Sequence, residues 1–144
     1  MNSRDKGARG EREAADAWAQ AMGCEGCRRG QQFCGGKDSP DVVQPIRDIH
    51  LEVKRTERGN PYDWMEQADH DSGGKVPVVL HRRNHRPWLI IMRLEDVGRF
   101  RLAAAAYDQA KAVGGYEVST DFPGQGLPPG PTPDERASWL FRNG

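Results

Sequence analysis

Two acids and a lysine that could do chemistry together stand close to one another in the chain. Pro40-Asp41 is followed, eleven positions after the Asp, by Glu52-Val53-Lys54. Strand periodicity gives the run that ends there two faces, one with Ile49, Leu51 and Val53 and the other with His50, Glu52 and Lys54. If the strand that carries Asp41 lies beside this run, its carboxylate joins Glu52 and Lys54. Such a group can bind a phosphate or a metal ion.

These three side chains predict metal-assisted hydrolysis of a phosphodiester. Two carboxylates held close together repel each other, and a divalent cation removes that repulsion. Hard Mg²⁺ or Mn²⁺ prefers oxygen ligands, polarises the phosphoryl oxygen and lowers the pKa of a bound water. Asp41 and Glu52 would hold the ion, and Lys54 would orient the water or offset charge in the transition state. The alternative is that Glu52 and Lys54 are only the solvated face of an amphipathic strand.

A third acid is expected on a first helix that begins near Ser3 or Asp5 and ends at Met22. Its apolar stripe, at helical spacing, comprises Ala14, Ala15, Trp18, Ala19 and Met22. Projected back one turn, the stripe meets Glu11, whereas Glu13 falls on the polar side. A carboxylate in line with a buried stripe needs a partner, so Glu11 is a candidate for the site. Alternatively, Glu11 only stabilises the first helical turn.

The elements that must position these groups follow from turn signals and apolar runs. A first strand is predicted from Cys27 to Gln32, a second at residues 41–43 and a third that ends at Lys54. Asn60 then caps a helix with Pro61 at its first position. Residues 76–81 and 88–92 are predicted as a fourth and a fifth strand, and their apolar runs suit central strands covered by helices.

The C-terminal part of the chain has a different composition. Leu102 to Val113 is predicted to be helical, and residues 123–133 are a linker rich in proline and glycine. A capping box at residues 132–135 then opens a short helix with an apolar end, which must dock on its own core, a second subunit or a partner. We therefore expect a main domain over residues 1–100 and a C-terminal extension over residues 101–144.

Composition limits the class of protein. The chain has 144 residues, enough for one domain with a real core. Lysine plus arginine number 21 and Asp plus Glu number 21, which is less basic than most nucleic-acid-binding proteins. No apolar run approaches a membrane span, and the first residues lack the apolar region of a signal peptide. We expect a cytoplasmic protein with no membrane partner.

Basic residues nevertheless gather in four groups, which could follow a nucleic-acid backbone if they converge. The groups are Arg4, Lys6, Arg9 and Arg12; Arg28, Arg29 and Lys37; Lys54, Arg55 and Arg58; and Arg82, Arg83 and Arg86. Gln67, one helix beyond Lys54, could reach back to a phosphate. His81, His85 and the arginines of their turn could contact a nucleic acid or form an exposed hairpin tip. The alternative for all of them is a mixed, solvated surface.

Three cysteines, Cys24, Cys27 and Cys34, stand within eleven residues of one another. A Cys-x-x-Cys pair is one half of many zinc sites, but a structural site needs four ligands. Cys34 would be a third, and His50 is a poor fourth because it falls in a predicted strand next to Glu52. Reduced, partly buried thiols are the default expectation.

The order of these elements, with Glu11, Pro40-Asp41 and Glu52-Val53-Lys54, resembles the PD-(D/E)XK nuclease superfamily, also called restriction-endonuclease-like. Within it, KGARGERE (Lys6 to Glu13) is similar to the opening of archaeal and phage Holliday junction resolvases, which begin with Lys-Gly, a few residues, then Glu-Arg-Glu. The resemblance implies a three-layer α/β/α fold with a central mixed five-stranded sheet, here followed by a helical C-terminal extension.

The resemblance also implies roles for residues. The catalytic set would be Glu11, Asp41, Glu52 and Lys54, with Mg²⁺ held by Asp41, Glu52 and Glu11 and with Mn²⁺ able to substitute. Arg28 or Arg29 would fill the place of the arginine that contacts the scissile region in such resolvases. Candidate DNA-binding residues are Lys6, Arg9, Arg28, Arg29, Lys37, Arg55 and Gln67.

The function implied is that of a metal-dependent endonuclease, a crossover junction endodeoxyribonuclease that works as a homodimer on four-way or other branched DNA. Its setting would be a phage or prophage in a bacterial host, or a bacterium. The long tail after residue 100 and the neutral charge balance depart from the minimal resolvase. A nicking or restriction-type nuclease on duplex DNA is the alternative among enzymes. A non-catalytic DNA-binding or assembly module is the alternative outside them.

Overall fold

The chain contains both helices and strands in residues 2–30 and 40–114, the part that this computed structural model describes. The elements are α1 (Ser3–Met22), β1 (Arg28–Arg29), β2 (Val42–Val43), β3 (Ile49–Arg55), α2 (Pro61–Asp71), β4 (Val76–Arg82), β5 (Leu89–Ile91), a 3-10 turn (Leu94–Asp96) and α3 (Val97–Ala112). None of these helices is both long and apolar enough to cross a membrane.

Three strands form a mixed sheet in the order β3-β4-β5. β3 and β4 are parallel, in a register that runs from Ile49 opposite Val76 to Arg55 opposite Arg82, and α2 connects them. β5 is antiparallel to β4. Residues 76–81 of the central β4 are all buried, as expected for an apolar run with a strand on either side.

Helices cover both faces of this sheet. On one face, Leu51 of β3 and Val78 of β4 share a buried cluster with Trp18 of α1 and Tyr107 of α3. On the other face, Val79 of β4 packs with residues 65 and 68 of α2. The described residues therefore have helices on both sides of a sheet, which is compatible with an α/β nuclease fold.

The single five-stranded sheet implied by the resemblance is not what these residues form. β1 and β2 pair antiparallel as a separate sheet, with Arg28 opposite Val43 and Arg29 opposite Val42. β2 approaches β3 through one bond in which the N–H of Asp41 donates to the carbonyl of Leu51, at 3.1 Å. A two-residue strand cannot extend that contact into a ladder, because the chain turns away at Pro45, which has no N–H to donate.

α1 begins and ends where its sequence signals predict. The side chain of Asn2 accepts the N–H of Asp5 at 2.9 Å, and Gly23 ends the helix in the left-handed conformation, with φ of 64°. The predicted stripe is buried at Ala14, Ala15 and Trp18. Glu11 and Glu13, in the turn before this buried stripe, are both half-buried.

α3 closes the same core from the far end of the described chain. It runs from Val97 to Ala112, so it includes all but the last residue of the helix predicted over Leu102 to Val113, and it contributes Ala103 and Tyr107 to the main cluster. Lys111 Nζ donates to the carbonyl of Gly23 at 2.7 Å, which joins α3 to the end of α1. The expected domain boundary after residue 100 falls inside this helix, and the predicted linker and terminal helix lie outside the described residues.

Candidate active site

Asp41 is held over the edge of β3 by hydrogen bonds to the residues on either side of Glu52. Its N–H donates to Leu51, and its Oδ2 accepts the N–H of Val53 at 2.8 Å. This places the Asp41 side chain in hydrogen-bonding contact with the Glu52 carboxyl group. Two acids that are eleven residues apart in the sequence thus become neighbours in space. Their proximity is the one predicted for the case in which the strand of Asp41 lies beside β3, and their role as metal ligands stays a prediction.

The contact between the two acids changes their protonation. Burial raises the pKa of Asp41 to about 7, and the hydrogen bond and charge of Glu52 act in the same direction. The N–H of Val53 opposes this rise, while the charge of Glu11 adds to it. A hydrogen bond between two carboxyl groups needs a shared proton, so near neutral pH a cation can replace a proton between them.

Glu52 is the anionic member of the pair because His50 stabilises its charge. Burial by itself raises the pKa of Glu52, but hydrogen bonds from His50 and Asp41 and the charges of His50 and Lys54 outweigh it and lower that pKa. His50 Nε2 lies 2.8 Å from Glu52 Oε1, and both residues are buried. Sequence reasoning placed His50 on the right face of the strand but assigned it no role. The signal was the two-residue spacing from Glu52.

Lys54 extends the same face of β3 toward solvent. Its Nζ donates to Oε1 of Gln67 on α2, at 3.0 Å. The backbone carbonyl of Lys54 pairs with Nδ1 of the buried His81 at 2.8 Å. His81 therefore belongs to the sheet interior and does not sit at an exposed hairpin tip. Lys54 is therefore held at two points, by His81 at its backbone carbonyl and by Gln67 at its ammonium group.

Glu11 lies on α1, but its carboxylate is engaged with a different partner. It forms an ion pair with Nε of Arg29, the second residue of β1. Across residues 2–30 and 40–114, no three His, Cys, Asp or Glu side chains form a group that could hold a metal ion. The structure thus brings Asp41 and Glu52 together with Lys54 nearby, and it places Glu11 on Arg29.

Comparison with known proteins gives the family of the chain. A family model described as "phage putative PDDEXK endonuclease" matches residues 2–119. The chain belongs to this family. No curated protein and no solved structure matches the chain.

Membership in the phage PDDEXK endonuclease family indicates a nuclease, and a nuclease of this family implies DNA as the substrate. It also supports the superfamily resemblance read from the sequence. The matched region includes Glu11, Asp41, Glu52 and Lys54, the four residues proposed from their pattern. It extends beyond residue 100 and so includes the whole of α3.

The oxygen donors of this endonuclease suit a hard cation. Mg²⁺ keeps several waters and is commonly held by one or two carboxylates together with substrate phosphates. Asp41 and Glu52 supply two carboxylates in contact, and the proton they share marks a place where positive charge is favourable. A third protein ligand is not needed for such a site. The residues present therefore fit Mg²⁺ or Mn²⁺.

The predicted DNA-binding residues differ in exposure and in the partners they contact. Lys6, Arg9 and Arg28 are exposed, Arg29 is paired with Glu11, and Lys37 lies outside the described residues. Gln67 is exposed and accepts from Lys54. Arg55 packs its stem against Gly10, where an added Cβ would lie 2.8 Å from Arg55 Cβ. That close approach requires glycine in α1.

Sequence reasoning missed the role of Glu13, which it left on the polar side of α1. Glu13 Oε1 lies 3.1 Å from Nε of Arg9, and its Oε2 lies 3.6 Å from both Arg55 and Arg82. One carboxylate thereby links α1 to the ends of β3 and β4. The signal was indirect, since Arg55 and Arg82 become neighbours only when β3 and β4 pair in parallel.

The cysteine pair near β1 consists of free thiols. Cys24 is buried, Cys27 is half-buried, and their Sγ atoms lie 3.1 Å apart. Burial, followed by the contact with Cys24, raises the pKa of Cys27 to about 12. Cys34 lies outside the described residues.

Proposed function

We propose that this endonuclease is a Mg²⁺-dependent endodeoxyribonuclease that hydrolyses phosphodiester bonds in branched DNA, in the manner of a Holliday junction resolvase. The observation that carries the proposal is the contact between the Asp41 and Glu52 carboxyl groups, with Lys54 on the same strand. Membership in a family of phage endonucleases supports the chemistry. The protein would act in the cytoplasm of a bacterial host.

Asp41 and Glu52 would hold the cation, and Mn²⁺ would substitute for Mg²⁺. When bound, the cation polarises the phosphoryl group and makes water a better nucleophile at neutral pH. His50 keeps Glu52 ionised and in place, since its ring nitrogen lies 2.8 Å from the carboxylate. The Lys54 ammonium offsets the negative charge that develops on the phosphate. Gln67 orients that ammonium through its hydrogen bond.

Glu11 would be the third acid of the site. Its charge already acts on Asp41, which supports a position within electrostatic reach of the acid pair. Its ion pair with Arg29 must open before it can act on the cation. A DNA phosphate competes for the same arginine, so we expect substrate binding to release Glu11.

Branched DNA and a homodimer rest on the similarity of the Lys6 to Glu13 segment to the opening of junction resolvases. A four-way junction has two symmetric strands to cut, and paired active sites cut both. A C2 dimer supplies such a pair through one self-complementary interface. Both statements are proposals that cleavage products test directly.

The test is cleavage by the full chain of an end-labelled four-way junction beside the matching linear duplex, with Mg²⁺ and then with EDTA. Glu52→Gln is the control, since it removes a carboxylate while nearly preserving the side-chain volume. Paired, symmetric, Mg²⁺-dependent cuts in the junction, with little cutting of duplex, would support the proposal. Equal cutting of both would make the enzyme a nicking or restriction-type nuclease. No cutting by folded protein would favour the non-catalytic DNA-binding module.

A further inference from the structure

A cavity of about 440 Å³ opens beside the active site, between the start of α2 and the turn that joins β4 to β5. Its wall includes Trp64, His81, Arg83, Arg86 and Leu89. The volume is within the range of small-molecule sites, and the wall combines aromatic, apolar and cationic groups. A nucleotide has the complementary parts, which are a flat base and an anionic phosphate.

We propose that this cavity receives one unpaired nucleotide of the DNA, with its base against Trp64 and its phosphate on Arg83 and Arg86. The proposal rests on the proposed nuclease function and adds a substrate class to it. The preferred substrate is DNA with at least one unpaired nucleotide beside the bond that is cut. Fully paired duplex is the poorer substrate.

The ring of Trp64, which lines the cavity, is held in place by its neighbours. It lies against the ring of His81, with centroids 4.6 Å apart and planes inclined by 45°, and His81 is itself anchored to the carbonyl of Lys54. Gly59 presses on it from another side, since a Cβ there would lie 2.3 Å from Trp64 Cζ2. An aromatic side chain that is already ordered loses little freedom when a base stacks on it.

Arg83 and Arg86 bring uncompensated charge to the cavity. Both are exposed, and neither guanidinium has a carboxylate partner in residues 2–30 and 40–114. The neighbouring Arg82 is already engaged, since its Nε donates to the carbonyl of Arg86 at 2.7 Å and its Nη1 lies 3.6 Å from Glu13. A tight turn, closed by the N–H of Arg86 and the carbonyl of Arg83, brings the backbones of the two residues together, and both residues line the cavity. They suit a phosphate.

The cavity adjoins the catalytic lysine through two elements. In the sheet, His81 of the cavity wall is opposite Lys54. On α2, Trp64 precedes Gln67 by one turn, about 5–6 Å between Cβ atoms, and Gln67 binds Lys54 Nζ. A nucleotide in the cavity is thus close to the one whose phosphate is cut.

A paired base cannot reach this wall. Inside a duplex, both faces of a base are stacked on its neighbours, and it must leave the helix before a side chain can stack on it. For a base to leave the helix, several stacking and pairing contacts must break in duplex DNA, but few must break at a branch point or in a single strand. The cavity therefore selects for unpaired nucleotides through the geometry of Trp64.

The test uses the full-length Glu52→Gln protein in EDTA, so that binding is measured without cleavage. The probes are a short single-stranded oligonucleotide with one 2-aminopurine and the blunt duplex of the same sequence. Fluorescence of 2-aminopurine reports stacking, and anisotropy reports affinity. Trp64→Leu should weaken single-strand binding about tenfold and duplex binding about twofold or less, with loss of the 2-aminopurine quench. Trp64→Phe, which keeps an aromatic ring, should restore most of the single-strand affinity and most of the 2-aminopurine quench.

Arg83→Ala combined with Arg86→Ala is the second variant, because both side chains are exposed and their removal leaves the fold intact. It should weaken single-strand binding about tenfold, whereas Arg101→Ala on α3, an exposed arginine away from the cavity, should not. Thermal melting of each variant shows whether the substitution has unfolded the protein, which matters most for the partly buried Trp64. Unchanged single-strand binding in both folded variants would overturn the proposal. So would an equal loss for duplex and single strand, which would indicate a phosphate-binding surface without base recognition.

The outcome is separable from that of the proposed function. If the wild-type protein cuts no DNA and yet stacks 2-aminopurine through Trp64, the nuclease proposal fails and the cavity proposal stands. If it cuts branched DNA with Mg²⁺ but neither variant alters single-strand binding, the cavity proposal fails and the nuclease proposal stands.

Discussion

Oδ2 of Asp41 accepts the backbone N–H of Val53 at 2.8 Å, so the acid that faces Glu52 also completes the hydrogen bonding of the β3 edge. One side chain thereby serves the fold and the site at once. Substitutions that remove its charge are not equivalent to substitutions that remove its oxygen atoms.

Asp41→Asn and Asp41→Ala should separate these two roles. Both should abolish cleavage, because each removes a proposed metal ligand. Only Asp41→Ala leaves the half-buried Val53 N–H without an acceptor, which should lower the free energy of unfolding by about 1–3 kcal/mol relative to Asp41→Asn. Denaturant unfolding measures the difference, and cleavage of branched DNA measures activity. Equal stabilities for the two variants would contradict the role of the hydrogen bond.

The metal-free protein should lose stability as pH rises toward and through 7. The folded-state pKa of Asp41 is raised from 3.8 to about 7, so over that window the folded state binds more protons than the unfolded state, and stability falls with increasing pH. Melting of the wild type in EDTA at pH 5, 6, 7 and 8, compared with Asp41→Asn, isolates this contribution. If the melting temperature falls equally with pH in both proteins, groups other than Asp41 cause the pH dependence of stability.

Metal binding should show the opposite pH dependence, because the cation displaces the proton that Asp41 and Glu52 share. The apparent affinity for Mn²⁺ should fall about tenfold for each pH unit below 7, as expected when one proton is released per ion bound. Calorimetry in buffers of different ionisation enthalpy measures both the affinity and the proton count. Affinity that is constant from pH 5 to 8 would argue against this pair as the site.

Lys54→Ala should slow cleavage about 100-fold while leaving Mn²⁺ affinity nearly unchanged, since the ammonium is proposed to stabilise the transition state and not the ion. Gln67→Ala should slow it less, because Gln67 only orients Nζ of Lys54, at 3.0 Å. Single-turnover rates measure the chemical step. Lys75→Ala, at an exposed lysine in the turn before β4, is the matched control. An unchanged rate in Lys54→Ala would remove the lysine from the mechanism.

His50→Ala should weaken Mn²⁺ binding about 10- to 100-fold, the usual cost of removing a group that orients a metal ligand. The reason is the 2.8 Å contact between Nε2 of His50 and the Glu52 carboxylate. His50→Gln, which can still donate a hydrogen bond, should recover part of the affinity. Titration followed by electron paramagnetic resonance of Mn²⁺ gives both values, and equal affinities in all three proteins would refute the role.

Much of the local structure was predictable because it depends on short spacings. Alternation along β3 placed Glu52 and Lys54 on one face, and Asn60 does cap α2, with its side chain accepting the N–H of Tyr62 at 2.9 Å. The contact between Asp41 and Glu52 was predictable only on the condition that their strands lie together. That condition is met by two hydrogen bonds to β3 and not by a continuous ladder.

The parts that sequence reasoning missed depend on which strands become neighbours. Glu13 was assigned to solvent because its helical face is polar, and its arginine partners converge only after β3 and β4 pair. His81 ends the predicted fourth strand, and an exposed hairpin tip was one of two alternatives for its side chain, whereas β4 continues through Arg82 and buries it. Likewise, no local pattern indicates that Arg29 meets Glu11, since β1 and α1 approach each other only in the folded chain.

α2 carries Trp64 toward the cavity and Gln67 toward Lys54 on the same side of one rigid cylinder. A short helix moves as a unit, so any displacement imposed on Trp64 is transmitted to Gln67 and from there to the ammonium group. If the cavity binds a nucleotide as proposed, its occupancy and the alignment of Lys54 are coupled through α2, and each biases the other by the same free energy. The helix would then couple binding to catalysis: a DNA strand that places no nucleotide in the cavity would also leave Lys54 out of alignment, and it would be cut more slowly.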